Sequence, residues 1–308
     1  MIDKRDCIYI AGHTGLVGSA IYRELLKQGY FNSFGFHHSE CDLSNTIETR
    51  MLFEERKPKY VFMAAALAGG IKKAIDYPAE MLERNILIQT NVIKQAFLSN
   101  VEKLIFIASS CVYPVDGEQP YTEDQIGTGR TDENWSYAIA KIAGSELCHA
   151  YHKQYGKNFL SVVPCNMYGP NDNFDKKYSH VIPALIRKCH EAKEDTVELW
   201  GDGEARREFL YSEDFAEACV DIMEKVDYDD INGVVNVGAE KQLRIADVFH
   251  IICSVLNKPL QAVYSGNTPG IASKLMSLER LHNVIDWQPK TVLSEGIRRS
   301  YDSFCSHC

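Results

Sequence analysis

No stretch of this 308-residue sequence offers the roughly 20 consecutive apolar residues that a helix needs to span a bilayer. The opening residues, Met1-Ile2-Asp3-Lys4-Arg5-Asp6, lack the long apolar region of a secretory leader and run straight into a strand pattern, so the expected location is the cytoplasm. Positive charge is also short: 33 Lys and Arg stand against 42 Asp and Glu, the net charge is −9, and no Lys/Arg-rich block occurs. That balance argues against nucleic acid or an anionic membrane as the main partner. Metal-ligand spacing is nearly absent. Cys305-Ser306-His307-Cys308 has a suggestive interval, but no second pair accompanies it, and no metal site is expected. The ten cysteines are scattered, with Cys7, Cys165, Cys219 and Cys253 inside apolar segments. In a reducing compartment these read as small buried hydrophobes, which excludes a disulfide framework. Internal repeats and low-complexity segments are missing too. What is present is 45% apolar and 24% charged residues, the make-up of an ordinary globular protein long enough for one large or two moderate domains.

Cys7-Ile8-Tyr9-Ile10-Ala11 is a short apolar run suited to a buried parallel strand. It opens into Gly12-His13-Thr14-Gly15-Leu16-Val17-Gly18 and then a helix pattern. Gly12 permits a tight turn, Gly15 lets backbone approach a pyrophosphate, and Gly18 allows close helix–strand packing. The helix N-terminus adds free amides and a positive dipole end. Strand, glycine triplet and helix in that order point to a dinucleotide.

The second strand, Ser33-Phe34-Gly35-Phe36, runs into His37-His38, where a cofactor with a free ribose 2′-hydroxyl usually meets Asp or Glu. The missing carboxylate favours NADP(H), whose 2′-phosphate it would repel, and makes His37 a candidate at the cofactor. Asp42 and Leu43 are placed to approach the adenine. A third buried strand ends in Ala64-Ala65-Ala66, where bulky side chains would obstruct a cofactor, and Leu67-Ala68-Gly69-Gly70-Ile71 continues it as a flexible loop. A helix is expected around 85–98. The next strand, 103–108, terminates at Ser109-Ser110-Cys111-Val112-Tyr113-Pro114, and Ser109 and Cys111 face one side if strand geometry persists there. A further strand from Leu160 runs into Pro164-Cys165-Asn166-Met167-Tyr168-Gly169-Pro170. This alternation predicts an α/β fold with a parallel sheet. The second half is less regular, with a loop entering a helix at 179–188, a strand at 234–238 and a helix at 245–256.

Tyr137 and Lys141 lie four apart in an alanine-rich helical run, so phenol and ammonium share one helix face. A free tyrosine has a pKa of about 10, and a neighbouring cation favours its phenolate. Such a pair suits an enzyme that interconverts a carbonyl and an alcohol.

As a set, Gly12-x-x-Gly15-x-x-Gly18, Ser109, Tyr137-x-x-x-Lys141 and Asn166-x-Tyr168-Gly169-Pro170 resemble the extended short-chain dehydrogenase/reductase superfamily. Within it, Ala68-Gly69-Gly70-Ile71, the 109–114 motif, Asp172-Asn173-Phe174, Ser179-His180-Val181-Ile182-Pro183-Ala184-Leu185 and Arg207-Glu208-Phe209-Leu210 resemble the GDP-L-fucose synthase family over nearly the whole chain. The resemblance implies a Rossmann-type doubly wound parallel sheet that binds NADP(H), covering 1–165 plus about 213–240. A smaller mixed α/β domain, 166–212 and 241–308, would bind a GDP-linked 4-keto sugar, and the protein would be a homodimer. It implies hydride transfer to the C4 carbonyl, with Tyr137 as proton donor and Ser109 bonded to the same oxygen. Lys141 would lower the tyrosine pKa and hold the ribose. The family also inverts C3 and C5, which needs one group to remove a proton and another to return one on the opposite face. The resemblance assigns these roles to Cys111 and His180, a thiol and an imidazole suited to exchange near neutrality.

The same resemblance adds Thr14, Leu16 and Val17 to the glycines at the cofactor, and Pro164, Asn166, Met167 and His180 further along it. Arg207 takes the diphosphate and Trp200 stacks on or walls the guanosine. Asn166, Val181, Leu185 and Lys188 complete the pocket, with Val181 and Leu185 open to a core reading as well. Lys274 is retained from a stretch that is usually Gly-Thr-Pro-Arg-Lys-like, but Ser273 stands at the arginine. Lys72-Lys73-Ala74-Ile75-Asp76 also departs from the family pattern. These departures leave open a reductase that acts on a GDP-4-keto-heptose without epimerising it. A non-catalytic NADP(H)-binding protein is disfavoured by the intact Ser109/Tyr137/Lys141 set. A UDP- or dTDP-sugar epimerase with bound NAD is disfavoured by the missing acidic residue and the His180 motif.

Overall fold

The computed structural model describes residues 2–131, 135–266 and 271–306. The first half runs β1 (Ile8–Ala11), α1 (Leu16–Lys27), β2 (Ser33–Phe34), α2 (Thr46–Arg56), β3 (Tyr60–Met63), α3 (Ile71–Asp76), α4 (Pro78–Leu98), β4 (Lys103–Ile107), α5 (Trp135–Tyr155) and β5 (Asn158–Pro164). β1, β3 and β4 are buried at every residue with no alternation, as a sheet covered on both faces requires.

The remainder runs β6 (Asn166–Tyr168), α6 (Val181–Glu191), β7 (Thr196–Leu199), β8 (Arg206–Tyr211), α7 (Ser212–Lys225), β9 (Val234–Val237), β10 (Gln242–Arg244) and α8 (Ile245–Leu256). It closes with β11 (Gln261–Tyr264), β12 (Ser273–Lys274), α9 (Glu279–His282) and α10 (Leu293–Ser306).

Six parallel strands form the main sheet in the order β2-β1-β3-β4-β5-β9. α1 pairs with α7, and α4 with α5, over that sheet. Lys103, buried in β4, donates from Nζ to the Ile222 and Met223 carbonyls at 2.9 and 2.8 Å, so an ammonium satisfies the open end of α7 beneath the sheet. The strand order reverses between β1 and β3, and a doubly wound sheet opens its ligand crevice at that point, beyond the carboxyl ends of the strands. A second core gathers α6, α8 and α10 with β7 and β8 around Ile186, Phe249, Ile252 and Ile297. β8 pairs with β6, β10 and β12 there, and β7 with β11.

The doubly wound α/β architecture follows the expectation, with local differences. β2 stops at Phe34, and Gly35 after it lies under His13, whose ring would be 2.3 Å from a Cβ at that position. The helix expected near Asn85 begins at Pro78, a residue preset for a first turn. Strand geometry does not persist past Ser109: residues Ser110–Val112 make a 3-10 turn, so alternation does not set the direction of Cys111.

Candidate active site

The glycine turn after β1 shows why each glycine is there. Gly12 has φ +83°, and a Cβ on it would lie 2.8 Å from the Ala65 backbone. A Cβ on Gly18 would lie 2.1 Å from the Gly12 carbonyl, so α1 meets the turn with no room for a methyl group. Gly15 differs. Its absent Cβ has only the Gly12 oxygen for company, at 3.6 Å, and it caps α1 without any side-chain cap. Thr14 and Gly15 are exposed, Leu16 and Val17 half-buried, and the first amides of α1 look outward, which fits a pyrophosphate. A Gly18→Ala variant should therefore lose about 1–3 kcal/mol of stability to overpacking and at least about tenfold in NADPH affinity. Thermal unfolding and fluorescence titration read the two; parent-like values in both contradict this account of the turn.

Ala64, Ala65 and Ala66 leave β3 half-buried beside Gly12. The loop beyond them is pinned at its start and is not free. Asn85, 2% exposed, accepts from the Leu67 amide at 2.8 Å and donates to its carbonyl at 3.0 Å. At the far end of the crevice the His37 and His38 rings lie 4.0 Å apart, and Glu40 turns its carboxylate back to the His37 amide at 2.8 Å. Asp42 accepts from the Ser44 hydroxyl and amide, which hold its carboxyl below the usual range, and Leu43 packs on the main core.

Ser109, Cys111, Tyr137 and Lys141 come together beyond the end of β4. α5 can approach that strand because Gly144 rests on Phe106, whose ring would be 2.3 Å from a Cβ there. Lys141 is 3% exposed, its Nζ donates to the Ile107 carbonyl at 2.7 Å, and it stands 5.6 Å from the centre of the Tyr137 ring. Ser109 caps the following turn, its hydroxyl accepting from the Cys111 amide at 3.4 Å. Burial is the main cause that pushes the Tyr137 phenol up from its ordinary value and the Lys141 ammonium down to about 8; Cys111 adds to the rise at Tyr137 and opposes the fall at Lys141. The lowering of the tyrosine expected from Lys141 is not what sets its pKa, which burial moves the other way. A phenol held neutral is the form that donates a proton.

His180 caps α6 near Gly69 with its residue open to solvent, and the protein crowded around the ring lowers its pKa and favours the neutral form. Leu185 belongs to the second core at 4% exposure, so the core reading holds for it, and Val181 packs partly against that core. Lys188 donates to the Glu198 carbonyl at 2.8 Å. Trp200 follows β7 and is 53% exposed. Asn166 and Met167 are half-buried on β6 and Pro164 is buried at the end of β5.

The register of β12 on β8 sets Lys274 opposite Arg207, two cations from distant parts of the chain on neighbouring strands. Glu208, which the sequence reading left without a role of its own, supports them. Its carboxylate is 1% exposed and accepts from the amides of Ala239, Glu240 and Met276, with burial raising its pKa to about 7 against those donors. An acidic residue directly ahead of the apolar run Phe209-Leu210-Tyr211 was the only signal available for it.

Among the described residues no group of His, Cys, Asp or Glu is placed to hold a metal. His307 and Cys308, like Pro269 and Gly270, lie outside the described residues.

Turn, sheet and Tyr/Lys pair together define a dinucleotide-dependent oxidoreductase of the short-chain type. The chain belongs to the NAD dependent epimerase/dehydratase family, whose sequence profile matches residues 8–238, and within it to the GDP-L-fucose synthases. It is 42% identical to a GDP-L-fucose synthase of Sinorhizobium fredii, over 97% of this chain and 96% of that one. Among solved structures it is similar to a GDP-6-OMe-4-keto-L-xylo-heptose reductase of C. jejuni, with TM-score 0.93, 31% identity and coverage of 100% and 99% of the two chains. It is also similar to MlghC, a GDP-mannoheptose C4 reductase of Campylobacter jejuni with NADP bound, with TM-score 0.90, 32% identity and coverage of 99% and 100%.

Proposed function

We propose that this protein uses NADPH to reduce the C4 keto group of a GDP-4-keto-6-deoxy-hexose and, at the same site, inverts C3 and C5. The observation that carries this reading is the cluster beyond β4 of buried Cys111 and Lys141 with half-buried Ser109 and Tyr137, in a chain alike end to end with GDP-L-fucose synthases. NADPH, when bound along the glycine turn, supplies the hydride. Tyr137 then delivers its proton to the C4 oxygen, Ser109 donates a hydrogen bond to that oxygen, and Lys141 holds the ribose beside the phenol. Cys111 and the neutral His180 exchange protons at the carbons flanking the carbonyl, whose hydrogens the ketone makes acidic. Arg207 and Lys274 face the diphosphate, with Trp200 at the guanosine.

Residues 1–165 with 213–240 serve the cofactor, and 166–212 with 241–308 serve the sugar nucleotide. The protein works as a homodimer in the cytoplasm. A second reading, reduction of a GDP-4-keto-heptose without inversion, draws support from the likeness to the two heptose reductases.

Product analysis by NMR tests the proposal. GDP-4-keto-6-deoxy-mannose and NADPH should give a sugar reduced at C4 with C3 and C5 inverted. Turnover of a GDP-4-keto-heptose alone supports the second reading, and turnover of neither removes both. The cofactor preference has its own check: kcat/KM should be higher with NADPH than with NADH, and an equal or reversed order would contradict the assignment at His37.

A further inference from the structure

We propose that Asp76 is a positioning residue for His180: from the end of α3 it latches the 177–180 segment against the 67–70 loop and so sets where the imidazole stands. The functional consequence rests on the proposed proton-exchange role of His180; the physical test does not.

α3 spans only six residues, Ile71–Asp76, and its last carboxylate gathers three donors. One is Lys72, a turn earlier on the same helix. The other two belong to the segment that leads into His180: Lys177 Nζ at 2.9 Å and the Tyr178 hydroxyl at 3.3 Å. Tyr77 meets the Tyr178 ring edge-on at 5.7 Å.

The same two segments touch twice more on the way to the imidazole. The Gly70 amide donates to the Tyr178 carbonyl at 2.8 Å, and a Cβ on Gly70 would stand 2.4 Å from the Ser179 oxygen. His180 follows at once as the N-cap of α6, close to Gly69. From the opposite side, Asp175 accepts from the amides of Lys177 and Tyr178, both at 2.9 Å, and Arg187 donates to the Phe174 carbonyl at 2.8 Å. The segment is gripped from its own lobe by Asp175 and Arg187, and from the cofactor side by Asp76.

Exposed ion pairs add little to global stability, so the latch acts on placement. A displacement of about 1 Å at a reacting group can cost roughly 10² in rate. Asp76→Ala should therefore leave thermal unfolding nearly unchanged while loosening the 177–180 segment from the 67–70 loop.

The decisive measurement is backbone amide hydrogen exchange in the full-length protein, read by NMR. In Asp76→Ala the Gly70 amide, which donates to the Tyr178 carbonyl, should exchange with solvent about tenfold or more faster, and Asp76→Glu should restore the parent rate. Solvent exchange at C3 and C5 of the keto substrate should fall about tenfold or more in Asp76→Ala, with C4 reduction much less affected. A Gly70 amide that exchanges at the parent rate in Asp76→Ala overturns the proposal. If the parent protein shows no exchange at C3 and C5, the inversion reading falls, and the Gly70 amide still decides the latch.

Discussion

Tyr137→Phe is expected to lower C4 reduction by roughly 10² to 10⁴, the usual worth of a positioned general acid. The substitution removes the proton donor and keeps the ring that packs near Lys141. Burial holds the phenol neutral, so in the parent protein the proton is in place before the substrate arrives. Binding of NADPH should change little, since the glycine turn is untouched. Single-turnover hydride transfer read by nicotinamide absorbance separates chemistry from binding, and a rate within a few-fold of the parent would show that another group protonates the alkoxide.

Cys111→Ser should act on a different step. The thiol is buried on the 3-10 turn after β4, close enough to influence both Tyr137 and Lys141, which places it at the reducing cluster without making it the proton donor to oxygen. Replacement by a hydroxyl, a far weaker acid and base near neutrality, should slow proton exchange at C3 and C5 by about 10² or more. Hydride delivery relies on Tyr137 and Lys141 and should persist. If exchange continues at the parent rate in Cys111→Ser, the thiol is only a packing residue.

The cofactor half was legible because its signals are local. Continuous apolar runs marked β1, β3 and β4, and three glycines at fixed intervals announced a turn whose steric demands the fold bears out at Gly12 and Gly18. The pairing of Tyr137 with Lys141 was equally local, one turn of one helix. What it did not disclose was the balance of burial against charge, which depends on neighbours such as Phe106 and Ile107 from another strand. The sugar-nucleotide half was harder to read. β7 has an alternating exposed–buried pattern only four residues long and finds its partner in β11, some 60 residues on. β12 is two residues paired to β8, and nothing near Lys274 in the sequence foretells Arg207 as its neighbour. Asp76 and Glu208 share that character: each joins segments that only the folded chain brings together.

The most direct test of the account places the parent protein with GDP-4-keto-6-deoxy-mannose and NADPH in D₂O and locates deuterium in the product by NMR. Cys111 and His180 exchanging protons with solvent predict deuterium at C3 and C5, and hydride from the nicotinamide predicts ordinary hydrogen at C4. A product reduced at C4 with no deuterium at C3 or C5 would contradict the account and leave the two residues with shaping and binding roles.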